Sequence, residues 1–219
     1  MSTEEDRAPV TSGDGSATLW SEQFGQHYHS IHGAQTESQH VFIEAGLAFA
    51  TPTNPISILE VGLGTGLNVG LTETYAAAHN LNIEYHALEK FPLTQEEARA
   101  VCQEHTLDLW PVLSATHNTP VKLGNTTLTV FHEDLLDWEA REEQYHLIYF
   151  DAFSPNAQPE LWSTTVFEKM YHCLKPGGIL TTYCAKGIVK RAMKSAGFEV
   201  SKLPGPPRKR EMTRAQKPA

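Results

Sequence analysis

The strongest constraint on the fold is a glycine-rich loop between an apolar run and a helical pattern. The run Ile56–Val61 predicts a strand, and Leu67–His79 has the periodicity of a helix. Between them stand Gly62, Gly64 and Gly66, and glycine permits positive φ and a close approach of the backbone to a ligand. A strand, a glycine loop and a helix in this order are typical of the first unit of a doubly wound α/β sheet.

The rest of the chain repeats this alternation of apolar runs and helical patterns, which is typical of a mostly parallel sheet covered on both faces. The predicted strands are 56–61, 83–88, 127–131, 145–150 and 179–183, and the predicted helices are 67–79, 94–105, 159–174 and 187–196. Two short strands, 198–203 and 210–213, are expected around the rigid turn 204–207. Thr94 and Glu97 have the spacing of a capping box. We therefore predict one Rossmann-like α/β domain.

The chain ends differ in composition from this body. Residues 1–18 are acidic and rich in Ser, Thr and Gly, and they lack the regions of a signal peptide, so we predict a disordered leader. Residues 19–219 then form the domain, with 19–50 as a lid or substrate segment. No apolar run approaches the roughly 20 residues of a membrane span. The three cysteines form no CxxC pair, which is consistent with a reducing cytoplasm.

Charge is distributed unevenly along the chain. Residues 186–219 contain ten basic and two acidic residues, whereas the preceding part contains seven basic and 24 acidic residues, and the net charge is −9. An acidic body with a basic end indicates an anionic partner that approaches one side. The alternative is that these basic side chains are only solvated surface charges.

Three acidic residues follow the predicted strands where a nucleoside could bind. Glu60 ends the first strand and could bind a ligand ammonium, and Glu89 lies 23 positions after Gly66, where a carboxylate can accept both ribose hydroxyls. Asp134 follows the third strand and could accept from an adenine amine, although it could also cap a helix. The GxGxG spacing differs from the GxGxxG of pyrophosphate-binding loops. The pattern therefore indicates an adenine nucleoside that carries an amino acid, as in S-adenosylmethionine.

Asp151 is the candidate catalytic residue. It follows the fourth predicted strand, whose carboxyl end faces the same crevice as the glycine loop. Methyl transfer requires a free lone pair on the acceptor, and a carboxylate can orient an amine and accept its proton. Phe153 could stack on a base, and Pro155 would stiffen the turn. The alternative is that Asp151 caps the helix that begins near Pro159.

Eleven histidines are present, and His27, His29 and His32 cluster near the N-terminus. Their spacing matches no standard zinc pattern, and no cysteine lies nearby, so we expect no metal site. We expect Tyr28 and these histidines to line a lid or the entrance for the substrate.

Several longer motifs occur in a fixed order. They are Phe24-Gly25-x-x-Tyr28-x-Ser30, Glu37-Ser38-x-x-Val41-Phe42, the segment 60–68, Glu89-Lys90-Phe91-Pro92-Leu93, the segment 151–155, and Lys209-Arg210-Glu211-Met212. In these motifs the chain resembles the methyltransferase domain of the bifunctional bacterial tRNA-modifying enzymes of the MnmC family, and especially their stand-alone homologues (MnmD). The resemblance covers roughly residues 19–213. It departs at residues 206–208, where relatives often have a glycine.

The resemblance implies a class I, S-adenosylmethionine-dependent methyltransferase that acts on tRNA. The substrate would be the aminomethyl nitrogen of 5-aminomethyl-2-thiouridine at the wobble position, in the anticodon region, and the product 5-methylaminomethyl-2-thiouridine. Asp151 would contact the substrate amine, and Asn68 would belong to the cofactor segment. Independently of the resemblance, the basic end of the chain predicts that Lys186, Lys209 and Arg210 face tRNA phosphates. The FAD-dependent oxidase of the bifunctional enzymes has no counterpart, so a separate enzyme would supply the aminomethyl-uridine tRNA.

Two alternatives remain open on the sequence. A small-amine methyltransferase or an aminopropyltransferase would share the fold and a similar nucleoside site, and its activity would ignore tRNA. A non-catalytic RNA-binding module with a vestigial cofactor site would bind S-adenosylmethionine without turnover.

Overall fold

The computed structural model describes residues 7–50, 53–104 and 107–219 and contains two β-sheets. The strands are β1 Arg7–Thr11, β2 Ala17–Ser21, β3 Gln26–His27, β4 Ile56–Val61, β5 Ile83–Leu88, β6 Pro120–Leu123, β7 Thr126–Phe131, β8 Tyr145–Phe150, β9 Leu174–Thr182, β10 Glu199–Pro204 and β11 Glu211–Gln216. The α-helices are α1 Ala34–Ser38, α2 Leu67–His79, α3 Gln95–Glu104, α4 Trp110–Leu113, α5 Thr164–Cys173 and α6 Gly187–Ser195. A π-helical segment, Gln39–Leu47, continues α1, and a 3₁₀ turn, Pro159–Trp162, precedes α5.

The larger sheet has eight strands in the order β10-β11-β9-β8-β4-β5-β7-β6. Its centre, from β9 to β7, is parallel, while β6, β10 and β11 run antiparallel to their neighbours. From β4 the chain moves to β5 and β7 on one side and later to β8 and β9 on the other side. The order therefore reverses between β4 and β8, and the carboxyl ends of these two strands form the crevice where ligands bind in such sheets.

The core lies on both faces of this sheet because its central strands are apolar along their whole length. All six residues of β4 are buried, as expected for a parallel strand covered on both sides. Leu59 and Phe150 pack with α5 and α6 on one face, and Ile58 and Tyr149 pack with α2 on the other. This confirms the predicted doubly wound fold.

The predicted bounds agree with the structure for the central strands of the sheet and for α2. They differ around α5 and β9. Strands 56–61, 83–88 and 145–150 and helix 67–79 are confirmed. Thr94 and Glu97 form the predicted capping box, with reciprocal hydrogen bonds of 2.7 and 3.3 Å. The predicted helix 159–174 is broken at Ser163, which is extended and whose hydroxyl caps α5 by accepting from the N–H of Val166. Residues 175–178, which separate the predicted helix 159–174 from the predicted strand 179–183, belong to β9, where the pairing with β8 is irregular.

The prediction of a disordered leader is wrong from residue 7 onward. β1 and β2 form an antiparallel ladder, and the Arg7 guanidinium donates to the carbonyl of Phe91 and pairs with Glu97 at 3.1 Å. The polar residues between the strands build a turn, because the Asp14 carboxylate accepts from both Ser12 and Ser16. Burial acts to raise the pKa of Asp14, but these hydrogen bonds outweigh it and lower the pKa. Residues 1–6 of the predicted leader lie outside the described residues.

Within the described part of the chain, no helix is long and apolar enough to cross a membrane.

Candidate active site

The glycine loop brings the ends of β4 and β8 into contact. Gly62 has a φ of 89°, and a Cβ atom there would lie 2.8 Å from the backbone oxygen of Asp151. Gly64 has a φ of 52°, and a Cβ atom there would lie 2.9 Å from the ring of Tyr28. Glycine is required at both positions, because they combine positive φ with this close approach.

Glu89 stands at the end of β5, as predicted for a ribose-binding carboxylate. One oxygen accepts from the N–H of Gly64 at 3.0 Å, and the other accepts from the N–H of Phe91 at 2.7 Å. The carboxylate is therefore fixed against the glycine loop.

Asp134 stands beyond β7 and is equally well held. Its oxygens accept from Lys90 Nζ at 2.6 Å and from the N–H of Leu136 at 2.9 Å. Burial acts to raise the pKa of Asp134, but these hydrogen bonds outweigh it, so the pKa is lowered and the group is ionised near neutral pH. Lys169 Nζ donates to three carbonyls of the following turn, those of Leu135, Leu136 and Trp138, and fixes the turn that carries Asp134.

Asn68, near the start of α2, connects two carboxylates. Its Nδ2 atom donates to Glu60 Oε1 at 2.8 Å and to Asp151 Oδ2 at 2.9 Å. Asn68 and Glu60 are buried, and Glu60 Oε2 and Asn68 Oδ1 have no hydrogen-bond partner among the described residues. The NH₂ group of asparagine has two N–H donors, so it can donate one hydrogen bond to each carboxylate. Asn68 is thus placed as a link between Glu60 and Asp151.

The carboxyl groups of Asp151 and Glu60 both have raised pKa values. Burial raises the pKa of Asp151 to about 7, against the lowering effect of the hydrogen bond from Asn68. Burial also raises the pKa of Glu60 well above its ordinary range, and the charge of Asp151 adds to this effect. A carboxyl group with a pKa near 7 is suited to exchange a proton at neutral pH.

A cavity of about 260 Å³ lies over these residues. Eight of the predicted site residues line it: Tyr28, Gly62, Gly64, Glu89, Asp134, Asp151, Phe153 and Lys209. Glu60, Gly66 and Asn68 do not line the cavity, and Gly66 instead approaches the side chain of Leu113.

Three predicted substrate residues, Pro155, Lys186 and Arg210, are also absent from the cavity wall. Lys186 extends outward to donate to Asn156 Oδ1 at 2.8 Å. Arg210 is exposed on the turn between β10 and β11. These residues bear on the substrate only if it extends beyond the cavity.

Residues of the segment 19–50, which the sequence predicts as a lid or substrate segment, line one side of the cavity, and this segment is called the lid below. Its movement as a lid stays a prediction. Tyr28 lies over Gly64, and Phe24 stacks on Phe153 with ring centroids 4.3 Å apart. Gln26 exchanges hydrogen bonds with the backbone and side chain of Ser154 at 3.3 and 2.7 Å. The lid is therefore packed directly onto the segment that follows Asp151.

The histidines belong to this lid. His27 and His29 line the cavity, whereas His32 accepts from Arg208 at 3.0 Å. Across the described ranges, no group of three or more His, Cys, Asp or Glu side chains is arranged to hold a metal ion.

Two residues that the sequence reasoning gave no role, Glu37 and Tyr183, line the cavity near Asp151. Glu37 Oε1 accepts from Lys209 Nζ at 2.6 Å, and Lys209 Nζ lies 5.0 Å from the centre of the Tyr183 ring. The Tyr183 hydroxyl donates to the carbonyl of Ala152 at 2.9 Å. Glu37 occurs in the motif Glu37-Ser38-x-x-Val41-Phe42, which was the signal for it in the sequence.

The basic C-terminal end is less positive in the fold than in the sequence. Four of its lysines pair with acidic side chains: Lys190 and Lys202 with Glu211, Lys209 with Glu37, and Lys217 with Glu143. The Arg214 guanidinium lies 3.3 Å from the centre of the Phe49 ring. The surplus charge is therefore neutralised locally at several positions.

The hydrogen-bond acceptors around the cavity suit S-adenosylmethionine. Glu89 can receive ribose hydroxyls and Asp134 an adenine amine. Glu60 does not line the cavity, so its contact with a ligand ammonium stays a prediction. Leu88, Phe91 and Leu135 supply apolar walls on the same side. Carboxylates, apolar walls and a glycine loop at the switch point of a doubly wound sheet define a nucleoside-binding α/β domain.

Comparison with known proteins identifies the family. Residues 96–218 match the family described as S-adenosyl-L-methionine-dependent methyltransferase. Because this match covers more than half of the chain, the protein belongs to that family, and its cofactor is S-adenosylmethionine.

Two similar relatives are both named "tRNA 5-methylaminomethyl-2-thiouridine biosynthesis bifunctional protein MnmC". The protein of Ralstonia nicotianae is 33% identical over 92% of this chain and 33% of its own length. That of Cupriavidus metallidurans is 32% identical over 97% of this chain and 34% of its own length. The chain thus spans about a third of the length of the curated relatives it matches.

A solved structure titled as MNMC2 from Aquifex aeolicus is also similar. It has a TM-score of 0.76 and 25% sequence identity, and the match covers 100% of this chain and 74% of that chain. The likeness confirms the predicted class I methyltransferase fold.

Proposed function

We propose that the protein transfers a methyl group from S-adenosylmethionine to the aminomethyl nitrogen of 5-aminomethyl-2-thiouridine at the wobble position of tRNA. The names of the relatives from Ralstonia and Cupriavidus support the product, 5-methylaminomethyl-2-thiouridine. On this proposal the partner is the anticodon region of tRNA, the location is the cytoplasm, and another activity supplies the aminomethyl group.

The position of Asp151 carries the proposal. It stands at the switch point, next to Gly62, with Oδ2 held by Asn68 and its side chain facing the cavity. An alkyl amine is protonated near pH 7 and has no lone pair for attack. The Asp151 carboxylate can accept one ammonium proton and leave a neutral amine oriented toward the crevice.

The remaining residues position the reactants. When bound, S-adenosylmethionine supplies a methyl group on a positively charged sulfur, and this sulfur keeps the electron pair of the broken S–CH₃ bond. The lone pair of the neutral primary amine forms the new N–CH₃ bond. The product is a secondary ammonium that keeps both hydrogens and carries the positive charge that the sulfur has lost. Glu89 and Asp134 would hold the nucleoside part, while Tyr28 and Phe153 would limit the access of water from the lid side.

The test compares acceptors of different size. The protein is incubated with methyl-labelled S-adenosylmethionine and either tRNA that carries 5-aminomethyl-2-thiouridine, the free nucleoside, or a simple alkyl amine. Nucleoside mass spectrometry should find 5-methylaminomethyl-2-thiouridine in the tRNA, with kcat/KM at least roughly 100-fold above that of the free nucleoside, since remote binding energy is lost with the polynucleotide. Equal activity on a simple amine would instead establish a small-amine methyltransferase. Cofactor binding without any turnover would indicate a non-catalytic module.

A further inference from the structure

Two ion pairs line the cavity, one at each side. Lys90 and Asp134 stand on the side of the nucleoside acids, and Glu37 and Lys209 stand on the side of Asp151 and Tyr183. In the second pair the Glu37 side chain is 16% exposed and that of Lys209 is 39% exposed. The acid of this pair is therefore set deeper in the cavity and the base nearer to solvent.

The pair joins two parts of the chain that have other contacts. Glu37 lies on α1, and Lys209 lies on the turn between β10 and β11. Flanking residues are also joined. His40 Nε2, in the π-helical segment, donates to the carbonyl of Pro204 at 2.9 Å, and Arg208 donates to His32, which precedes α1, at 3.0 Å. A partly exposed ion pair contributes little to stability, so it can open at small cost.

Both charges act on the catalytic carboxyl group. Glu37 raises the pKa of Asp151 and Lys209 lowers it, although burial is the largest cause of the shift. Glu37 is thus within electrostatic reach of the group that receives the substrate amine.

In the ion pair the negative group lies deeper in the cavity and the positive group nearer to solvent. The proposed substrate has the complementary arrangement, with its positive group entering the cavity and its negative groups outside. Its reactive end is an ammonium that must reach Asp151, and its backbone is a chain of phosphates that stays outside. We propose that the tRNA opens the pair by exchange: the substrate ammonium replaces Lys209 on Glu37, and a phosphate replaces Glu37 on Lys209. This inference rests on the proposed function.

The exchange gives a physical basis for selecting the substrate. A free amine can pair with Glu37 but leaves Lys209 without a negatively charged partner at the cavity entrance. A tRNA without the aminomethyl group can satisfy Lys209 but leaves Glu37 unpaired. Only a polynucleotide with an aminomethyl group replaces both halves of the pair, so Glu37 reads the amine and Lys209 reads the backbone.

A double-mutant cycle with Glu37→Gln and Lys209→Gln tests the exchange. The kcat/KM of each variant and of the double variant is measured on the aminomethyl tRNA. Binding is measured on this tRNA and on one without the aminomethyl group, at several salt concentrations. The control is Lys122→Gln, which removes the same charge from β6, at the opposite edge of the sheet. Thermal unfolding establishes that each variant is folded.

We expect Glu37→Gln to lower kcat/KM roughly ten-fold or more. It should leave the affinity for the tRNA without the aminomethyl group within two-fold, a selectivity that a merely structural role would not produce. Lys209→Gln should weaken binding of both tRNAs and make the log–log salt slope shallower by about 0.7 to 0.9, whereas Lys122→Gln should leave the slope unchanged. The two losses in kcat/KM should multiply in the double variant.

If the Glu37–Lys209 ion pair served only to join α1 to the turn between β10 and β11, the result would be different. Either single variant would then cause the whole loss, the double variant would be no worse, and both tRNAs would be affected alike, which would overturn the exchange while leaving the proposed function in place. If the wild-type protein transfers no methyl group to the aminomethyl tRNA, the proposed function fails, and the exchange fails with it.

Discussion

Replacing Asn68 by alanine should change the pH at which the enzyme works. The Asn68 amide donates one hydrogen bond to Asp151 at 2.9 Å and another to Glu60 at 2.8 Å. In Asn68→Ala the two carboxyl groups lose this shared donor. Each is then less well stabilised in its charged form, so their pKa values must rise.

The size of the shift follows from the hydrogen bond. A hydrogen bond to a charged group contributes about 1.5–3 kcal/mol. At 1.36 kcal/mol for each pKa unit, its loss should raise the pKa of Asp151 by about one to two units. The starting value is about 7, so the fraction of ionised Asp151 at pH 7.5 should fall, and with it kcat/KM, by roughly three- to 25-fold.

The assay is the pH dependence of kcat/KM for methyl transfer, because this ratio reports the pKa values of the free enzyme. The acidic limb of the profile should move to higher pH in Asn68→Ala, and activity should recover toward the wild-type value above about pH 9. Asn125→Ala, at a turn outside the cavity, is the matched control and should leave the limb in place. A uniform loss of activity at every pH, with an unmoved limb, would refute the positioning role of Asn68.

Three further changes test other parts of the site. Glu89→Ala should weaken S-adenosylmethionine binding by about 1–3 kcal/mol in calorimetry, because ribose hydroxyls and the N–H of Gly64 lose their acceptor, and unchanged affinity would remove Glu89 from the site. Gly64→Val should lower the free energy of unfolding by about 1–3 kcal/mol, since its φ of 52° is strained for valine and its Cβ would press on Tyr28; a wild-type denaturation midpoint would contradict this packing. Asp151→Asn should alter the dependence of stability on pH. The raised pKa means that folded Asp151 keeps its proton from the ordinary 3.8 up to about 7, so the wild-type free energy of unfolding should fall over this interval by on the order of 4 kcal/mol more than that of the variant, and parallel curves would show that the pKa is not raised.

The central sheet and its carboxyl-end acids were predictable because local patterns specify them. β4, β5 and β8 are unbroken or alternating apolar runs, and the positions that follow parallel strands must meet at one edge. Glu89 and Asp151 could therefore be placed together without knowledge of the full fold.

The lid and the side chains that contact Asp151 and Lys209 depend on long-range contacts that leave weak local signals. β1 and the start of β2 fall within the segment 1–18, for which the sequence predicts disorder because its polar, glycine-containing turn has a disorder-like composition. The pairing of Glu37 with Lys209 joins residues 172 positions apart, and Asn68 reaches Asp151 across 83 positions. No periodicity reports such contacts, so the sequence does not show that four lysines of the basic end are paired with acidic side chains.

The most direct test of Asp151 is single-turnover methyl transfer by Asp151→Ala. Preformed complexes of the wild type and the variant with labelled S-adenosylmethionine are mixed with the aminomethyl tRNA, and the labelled nucleoside is quantified over time, while calorimetry gives the cofactor affinity of each. The transfer rate of the variant should fall by roughly 10²- to 10⁴-fold, the range of a lost general base, with the cofactor affinity within a few-fold of wild type. A variant that transfers the methyl group at the wild-type rate would contradict the role of Asp151 as the group that receives the substrate amine.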